Sequence, residues 1–211
     1  MTKTLIHPNN ARTRIDSLNL VCFAMSSSAT SNGDSQQYAL TAAEKEKAIE
    51  EFCAFLKFET VSSTGPESGQ YKACAEWLLS YVQKKLPMVK VWCLAEAPDN
   101  APVVVAKWTG EDNDTLPILL LNSHYDVVPA APEDWNPETP PFSATRVVGD
   151  DGIARIFARG TQDMKCVGIQ YVEALHKIHQ VKPDWKPARS MYVFLFLFLL
   201  QLLVVRCRVP V

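Results

Sequence analysis

Apolar residues recur every three or four positions in two stretches of the first half of the chain, and this spacing predicts two amphipathic helices. The first begins at Thr41, where the Thr41 hydroxyl and the Glu44 carboxylate can cap each other's backbone amides, and extends to about Lys57. The second extends from about Ser68 to Lys85. Each helix has an apolar face that must pack on another element; the two faces consist of Ile49, Phe52, Phe55 and Leu56, and of Tyr71, Ala75, Leu78, Leu79 and Val82.

The pattern then changes to alternating or continuous apolar runs, which predict strands. Residues 89–94 alternate, whereas 103–106 and 118–121 are continuous and rich in branched side chains, as in strands covered on both faces. A further strand is predicted at 155–159, a helix follows over Asp163 to Ile178, and a last strand begins near Ser190. We therefore expect an α/β fold in which a mixed, mostly parallel sheet lies between helices.

The two ends of the chain differ from its middle. Residues 1–40 contain a Ser-rich polar run at 26–35 that cannot supply a core, so we expect them to form a disordered extension. Arg12 and Arg14 precede a short apolar patch at 18–25, which leaves organelle targeting as an alternative to a cytoplasmic location. The apolar run at 191–205 is shorter than the ~20 residues that a membrane-spanning helix needs, so a membrane partner is not expected.

Composition excludes one class of partner and indicates a compartment. The net charge of −2 provides no positive field for a polyanion, so nucleic acid is not an expected partner. The six cysteines include no Cys-x-x-Cys pair and lie mostly in apolar stretches, as buried thiols do in a reducing compartment. We therefore predict a soluble globular protein of the cytoplasm.

A histidine and an aspartate follow the strand predicted at 118–121. His124 and Asp126 come at its carboxyl end, which is where open α/β sheets bind ligands. Residues two apart in an extended chain point the same way, so the Asp126 carboxylate can hold the proton on one ring nitrogen of His124 and leave the other nitrogen for a metal. A polar strand end that caps a loop has the same His-x-Asp spacing, so both interpretations remain open for this pair alone.

A second acidic residue follows the strand predicted at 155–159. Gly160 allows a tight turn there, and Asp163 stands near the first turn of the next predicted helix, where a carboxylate stays ionised. An isolated aspartate at that position is more simply a helix cap. Two strand-end motifs that aim an imidazole and a carboxylate at the same sheet edge favour a metal site.

Two blocks of sequence resemble the zinc aminoacylase and carboxypeptidase family of metallohydrolases. They are residues 120–129 and 158–174, and the stretch Gln162-Asp163-Met164-Lys165-Cys166 is similar to the aminoacylase branch of that family. The likeness extends over about 41–196, and it implies a zinc-peptidase-like catalytic domain.

The resemblance also implies roles for the three site residues. His124 would bind one of two Zn²⁺ ions, Asp163 would bridge both ions, and Asp126 would assist catalysis by orienting His124. The implied reaction is hydrolysis of an N-acyl-L-amino acid, the small-molecule partner, to a free amino acid and a carboxylate. The resemblance further implies that family members of full length are homodimers.

The chain departs from this family after the last predicted strand. The family has a Glu-Glu pair there, one residue serving as general base and the next as a zinc ligand, whereas this sequence has no acidic residue from Trp185 onward. We therefore expect residues 41–196 to be a partial catalytic domain that is inactive as written and lacks the dimerising region, and 197–211 to be an aberrant apolar tail. The alternatives are a non-catalytic truncated product or membrane-associated stub, and a metallopeptidase of the same family.

Other polar residues have simpler interpretations. His176 and His179 lie at the end of the Asp163 helix, where imidazole usually faces solvent, about a helix length from Asp163. Glu173 and Asp184 have no matching context and are interpreted as surface residues.

Overall fold

The computed structural model describes residues 12–14, 36–94, 100–111, 113 and 115–196. Its α-helices are α1 (Ala42–Leu56), α2 (Gly65–Ser68), α3 (Gln70–Lys85) and α4 (Lys165–Val181), with short 3-10 turns at Gln36–Tyr38 and Pro132–Asp134. Its strands are β1 (Arg12–Arg14), β2 (Lys90–Cys93), β3 (Val104–Trp108), β4 (Leu119–His124), β5 (Thr145–Val148), β6 (Ala154–Phe157) and β7 (Met191–Phe196).

Helix α1 begins with the predicted capping box. The Glu44 amide donates to Thr41 Oγ1 at 3.2 Å, and the Thr41 amide donates to Glu44 Oε2 at 2.7 Å. The Glu44 carboxylate also accepts a hydrogen bond from Lys177 Nζ of α4 at 2.9 Å. The Thr41 amide and Lys177 together lower the pKa of Glu44 to about 2. All four residues of the predicted apolar face of α1 are buried, so this prediction is confirmed.

Helix α3 starts two residues later than predicted. Gly69 adopts the left-handed conformation with φ of 75° and separates it from the short α2. Helix α3 contacts α1 through one aromatic pair, because Trp77 of α3 stacks on Phe55 of α1 with centroids 5.5 Å apart. Trp77 also stacks on Tyr81 of its own helix, with centroids 5.0 Å apart.

The main sheet has four strands in the order β2-β3-β7-β4. Strand β7 pairs in parallel with β4 and antiparallel with β3, and β2 pairs antiparallel with β3. Helix α4 follows β4 and precedes β7, and Val104, Ala106 and Val193 join the helices in the core. The α/β class with a mixed sheet is confirmed. Among the described strands, however, parallel pairing is confined to β4 and β7 rather than being the majority that we expected.

A second sheet of three strands, in the order β1-β6-β5, stands apart from the main one. The strand predicted at 155–159 is β6 of this sheet, which pairs with β5 and with the short strand Arg12–Arg14. The remainder of the predicted extension and the tail at 197–211 lie outside the described residues. The predicted domain limits therefore stay predictions.

Strand β4 is less covered than its continuous apolar run suggests. Leu119 is 53% exposed and Leu120 46% exposed, whereas Val104 and Val105 of β3 are buried. The expectation that both faces of this run are covered is wrong, because Leu119 and Leu120 are successive strand residues that point to opposite faces and both are exposed. In the described sheet, β4 is an edge strand that pairs with β7 on one side. Its carboxyl end, which carries Ser123 and His124, is buried.

The four cysteines that fall in the described ranges, Cys53, Cys74, Cys93 and Cys166, are free thiols. Over the same ranges, no helix is both long and apolar enough to cross a membrane.

Candidate metal-binding site at the end of strand β4

His124, the last residue of β4, lies between two aspartates. Its Nδ1 is 3.0 Å from the backbone carbonyl oxygen of Asp126 and 3.2 Å from the Asp126 carboxylate Oδ1. Its Nε2 is 3.2 Å from Asp163 Oδ1. Because an acceptor faces each ring nitrogen, the arrangement suits either an imidazolium or a neutral ring whose Nε2 binds a cation in place of the proton.

The electrostatics of His124 follow from its surroundings. Burial lowers the pKa of this imidazole, but the hydrogen bonds and charge of Asp126, with the charge of Asp163, more than offset that effect and raise the pKa above its ordinary value of 6.5. The ring is 9% exposed and the Asp126 side chain 6% exposed. A buried imidazole held by a buried carboxylate has a fixed orientation, which is what a metal ligand requires.

Asp163 reaches the site from the turn between β6 and α4. Gly160 opens this turn with φ of 87°, and a Cβ atom there would lie 2.8 Å from Val127 Cγ1, so a side chain at 160 would be both strained and crowded. The predicted tight turn at Gly160 is therefore present. The Asp163 side chain is 87% exposed, so its second oxygen faces solvent beside the His124 ring.

The structure thus brings together the three residues that sequence reasoning selected. His124, Asp126 and Asp163 come from two segments 39 residues apart, and the His124–Asp163 contact of 3.2 Å is far within the reach of a shared metal ion. Ser123 joins the same segments, because its hydroxyl donates to the Met164 carbonyl at 3.0 Å.

Two other histidines lie elsewhere. His176 Nδ1 contacts the Lys85 carbonyl oxygen at 2.8 Å, and the His179 ring packs edge-on against Trp108 with centroids 6.4 Å apart. Both residues are half-buried, so the expectation that they face solvent is wrong. Each instead packs against an earlier element of the chain.

Glu173 was expected at the surface and is buried. Its carboxylate accepts a hydrogen bond from the Tyr81 hydroxyl at 2.6 Å and pairs with Lys85 Nζ at 2.7 Å. Lys85 also pairs with Glu51 at 2.7 Å, which links α1, α3 and α4 through one ammonium group. The surface interpretation fails because these partners lie far away in sequence. Asp184, by contrast, is exposed as expected.

Lys165 is a buried residue that the sequence analysis quoted only as part of a motif. It is fully buried, and its ammonium donates to the carbonyl oxygens of Phe55 at 3.2 Å and Phe58 at 2.8 Å. Burial lowers the pKa of Lys165 to about 8, an effect that the charge of Asp126 partly offsets. A lysine at the first position of a helix normally faces solvent, so periodicity gives no signal for this burial.

The donor atoms of His124 and Asp163 suit a divalent cation chemically, but they are few in number. An imidazole nitrogen with its partner nitrogen fixed by a carboxylate, beside an exposed carboxylate oxygen, is the kind of pair that binds Zn²⁺. Catalytic zinc sites ordinarily use three protein ligands and a water. Within the ranges that the structure describes, no group of three or more histidine, cysteine, aspartate or glutamate side chains is placed to hold a metal ion. His124 and Asp163 are therefore two candidate ligands rather than a complete set.

Parts of the chain are similar in sequence to known proteins. Residues 120–194 match the model of peptidase family M20/M25/M40. Human aminoacylase-1 is 49% identical over 76 residues, which are 36% of this chain and 17% of the relative. The pig (Sus scrofa) aminoacylase-1 is 46% identical over 128 residues, 60% of this chain and 28% of the relative. Aminoacylase-1 of Pongo abelii is 33% identical over 136 residues, 64% of this chain and 30% of the relative.

Solved structures agree on the fold. The dipeptidase Dug1p of Saccharomyces cerevisiae superposes with a TM-score of 0.56 at 16% identity, over 86% of this chain and 34% of that one. Human carnosine dipeptidase 1 superposes with a TM-score of 0.53 at 18% identity, over 85% of this chain and 34% of that one. The chain thus spans about a third or less of the length of the relatives it matches.

Proposed function

Because this chain is an aminoacylase-1-like member of peptidase family M20/M25/M40, a family of hydrolases, we propose that it carries part of the zinc site of an enzyme that hydrolyses N-acyl-L-amino acids. The family is generally metal-dependent. The observation that carries the proposal is the approach of His124 Nε2 to Asp163 Oδ1 at 3.2 Å, with Asp126 behind the imidazole.

Each residue has a distinct part in the proposed site. His124 offers Nε2 to a Zn²⁺ ion, and Asp163 offers an exposed carboxylate that can bridge two ions. Asp126 holds the Nδ1 proton and thereby fixes the ring and strengthens Nε2 as a donor. When bound, Zn²⁺ supplies a water of lowered pKa and polarises the amide carbonyl of the substrate.

Hydrolysis needs more groups than these three residues. A catalytic zinc site ordinarily has three protein ligands, and the described residues supply two, so the further ligands and the general base come from outside the described part in this proposal. The substrate assignment rests on the aminoacylase relatives, whose matched identity of 33–49% exceeds that of the dipeptidase structures. Those structures support the fold alone.

The test is a comparison of substrates on one preparation. The full chain, stripped with a chelator and reloaded with Zn²⁺, is assayed with N-acetyl-L-methionine and with a dipeptide, beside Asp163→Asn. We expect the unsubstituted chain to bind Zn²⁺ more tightly than Asp163→Asn does and to release no methionine, because the described residues supply two zinc ligands rather than three. Faster hydrolysis of the dipeptide would contradict the substrate assignment. Zinc-dependent release of methionine would contradict the expectation that the chain is inactive as written, and absence of zinc binding would support a non-catalytic product.

A further inference from the structure

A buried ammonium group fastens the Asp163 turn to the end of α1. Lys165 is the first residue of α4 and lies two residues after Asp163. Its Nζ donates to the Phe55 carbonyl at 3.2 Å and to the Phe58 carbonyl at 2.8 Å, and lies 5.0 Å from the centroid of the Phe55 ring. A cation at the carboxyl end of a helix interacts favourably with the helix dipole, and charge-assisted hydrogen bonds are stronger than neutral ones.

The segment that receives this ammonium also holds the end of β4. Directly after Phe58, the Thr60 carbonyl accepts from the Val127 amide at 2.8 Å, and the Val127 carbonyl accepts from the Ser62 amide at 2.8 Å. The buried Thr60 hydroxyl donates to the Tyr125 carbonyl at 2.5 Å. Residues 58–62 therefore bind both sides of Asp126 along the backbone.

These two sets of bonds meet at one place. The Asp163 turn is attached to residues 58–62 through Lys165, and the His124–Asp126 strand end is attached to the same residues through the backbone. We propose that Lys165 is a positioning residue, which sets the separation of His124 and Asp163 by fastening both of their segments to residues 58–62. This inference deepens the proposed function and rests on it, because the pair that Lys165 positions is the proposed zinc pair.

The chain offers a matched control on the same helix. Lys177 also fastens α4 to α1, since its Nζ pairs with Glu44 Oε1 at 2.9 Å and its side chain is 14% exposed. It lies about three turns further along α4 from Lys165. Lys165→Met and Lys177→Met each remove one ammonium that links the same two helices, so they separate a general loss of packing from an effect on the site.

The first measurement is the Zn²⁺ affinity of each folded variant, by competition with a chromophoric chelator. Lys165→Met should weaken zinc binding about 10–100-fold, the usual range when a group that orients a metal ligand is lost. Lys177→Met should bind zinc as the unsubstituted chain does. Equal affinities in the two variants would overturn the inference. If Lys165→Met does not fold, Lys165→Gln is the substitute variant. Its side chain keeps a hydrogen-bond donor but is one atom shorter than lysine, so the donor cannot reach both carbonyls. This variant should also bind zinc more weakly than Lys177→Met.

The second measurement requires no metal, so it separates this inference from the proposed function. Hydrogen–deuterium exchange of the metal-free chain reports on the amides of Val127 and Lys165, which bond to Thr60 and Gly160. Both amides should exchange about tenfold faster, or more, in the Lys165 variant than in the Lys177 variant. Unchanged exchange at these amides would overturn the positioning role. Absence of zinc binding by the unsubstituted chain, with faster exchange in the Lys165 variant, would contradict only the proposed function.

Discussion

Asp126→Asn tests how the His124 imidazole is held. His124 Nδ1 lies 3.0 Å from the backbone carbonyl of residue 126 and 3.2 Å from the carboxylate, and the substitution leaves that carbonyl in place. The ring therefore keeps its orientation and loses the negative charge behind it. Loss of such a partner typically costs 10–100-fold in metal affinity, and we expect the lower end, about tenfold or ~1.4 kcal/mol, because one acceptor remains.

Two assays follow this substitution. A chelator competition measures the Zn²⁺ dissociation constant, and an NMR titration of the histidine rings measures the pKa of His124, which should fall because Asp126 is the main group that raises it. Asp184→Asn is the control, since Asp184 is exposed and belongs to the same residue type. Unchanged zinc affinity, or a loss well beyond 100-fold, would refute the reasoning that the carboxylate supplies charge while the backbone supplies orientation.

Two further predictions concern stability. Lys85→Met leaves the carboxylates of Glu51 and Glu173, which are 12% and 8% exposed, without their cation. The free energy of unfolding, measured in urea, should therefore fall by about 3–5 kcal/mol. A fall below ~1 kcal/mol would show that this buried network is dispensable. The pKa of Glu44 is lowered from 4.5 to about 2, so its contribution is present in full above pH 4.5, declines below that pH and is lost as the pH falls through 2. Glu44→Gln should therefore be less stable than the unsubstituted chain by ~1 kcal/mol at pH 6, and this difference should shrink as the pH falls from 4.5 through 2; a difference that stays constant with pH would contradict this sign.

Local patterns predicted the elements of the fold well. The capping box at Thr41 and the apolar faces of α1 and α3 depend on residues three or four apart, and the structure shows them as expected except that Leu79 of α3 is only partly buried. The position of each strand in a sheet depends on pairing across the whole chain. Leu119 and Leu120 belong to a continuous apolar run and yet are exposed, since coverage of a strand's faces depends on which elements pack above and below it and not on the run itself.

Among the residues of the candidate site, only the candidate ligands and their partner carboxylate could be predicted from the sequence. His124, Asp126 and Asp163 have residue types and strand-end positions that indicate metal chemistry, and they lie together in the structure. The supporting lysines could not be found in this way. Lys165 and Lys85 are buried because their carbonyl and carboxylate partners come from elements distant in sequence. The residue pattern of their own helices gives no indication of these partners.

Calorimetric titration of the metal-free chain with Zn²⁺ tests the central claim most directly. We expect saturable binding that is lost in both His124→Ala and Asp163→Asn and retained in His176→Ala, whose ring contacts Lys85 rather than the site. Zinc binding that survives in His124→Ala and Asp163→Asn, or no zinc binding by the unsubstituted chain, would contradict it.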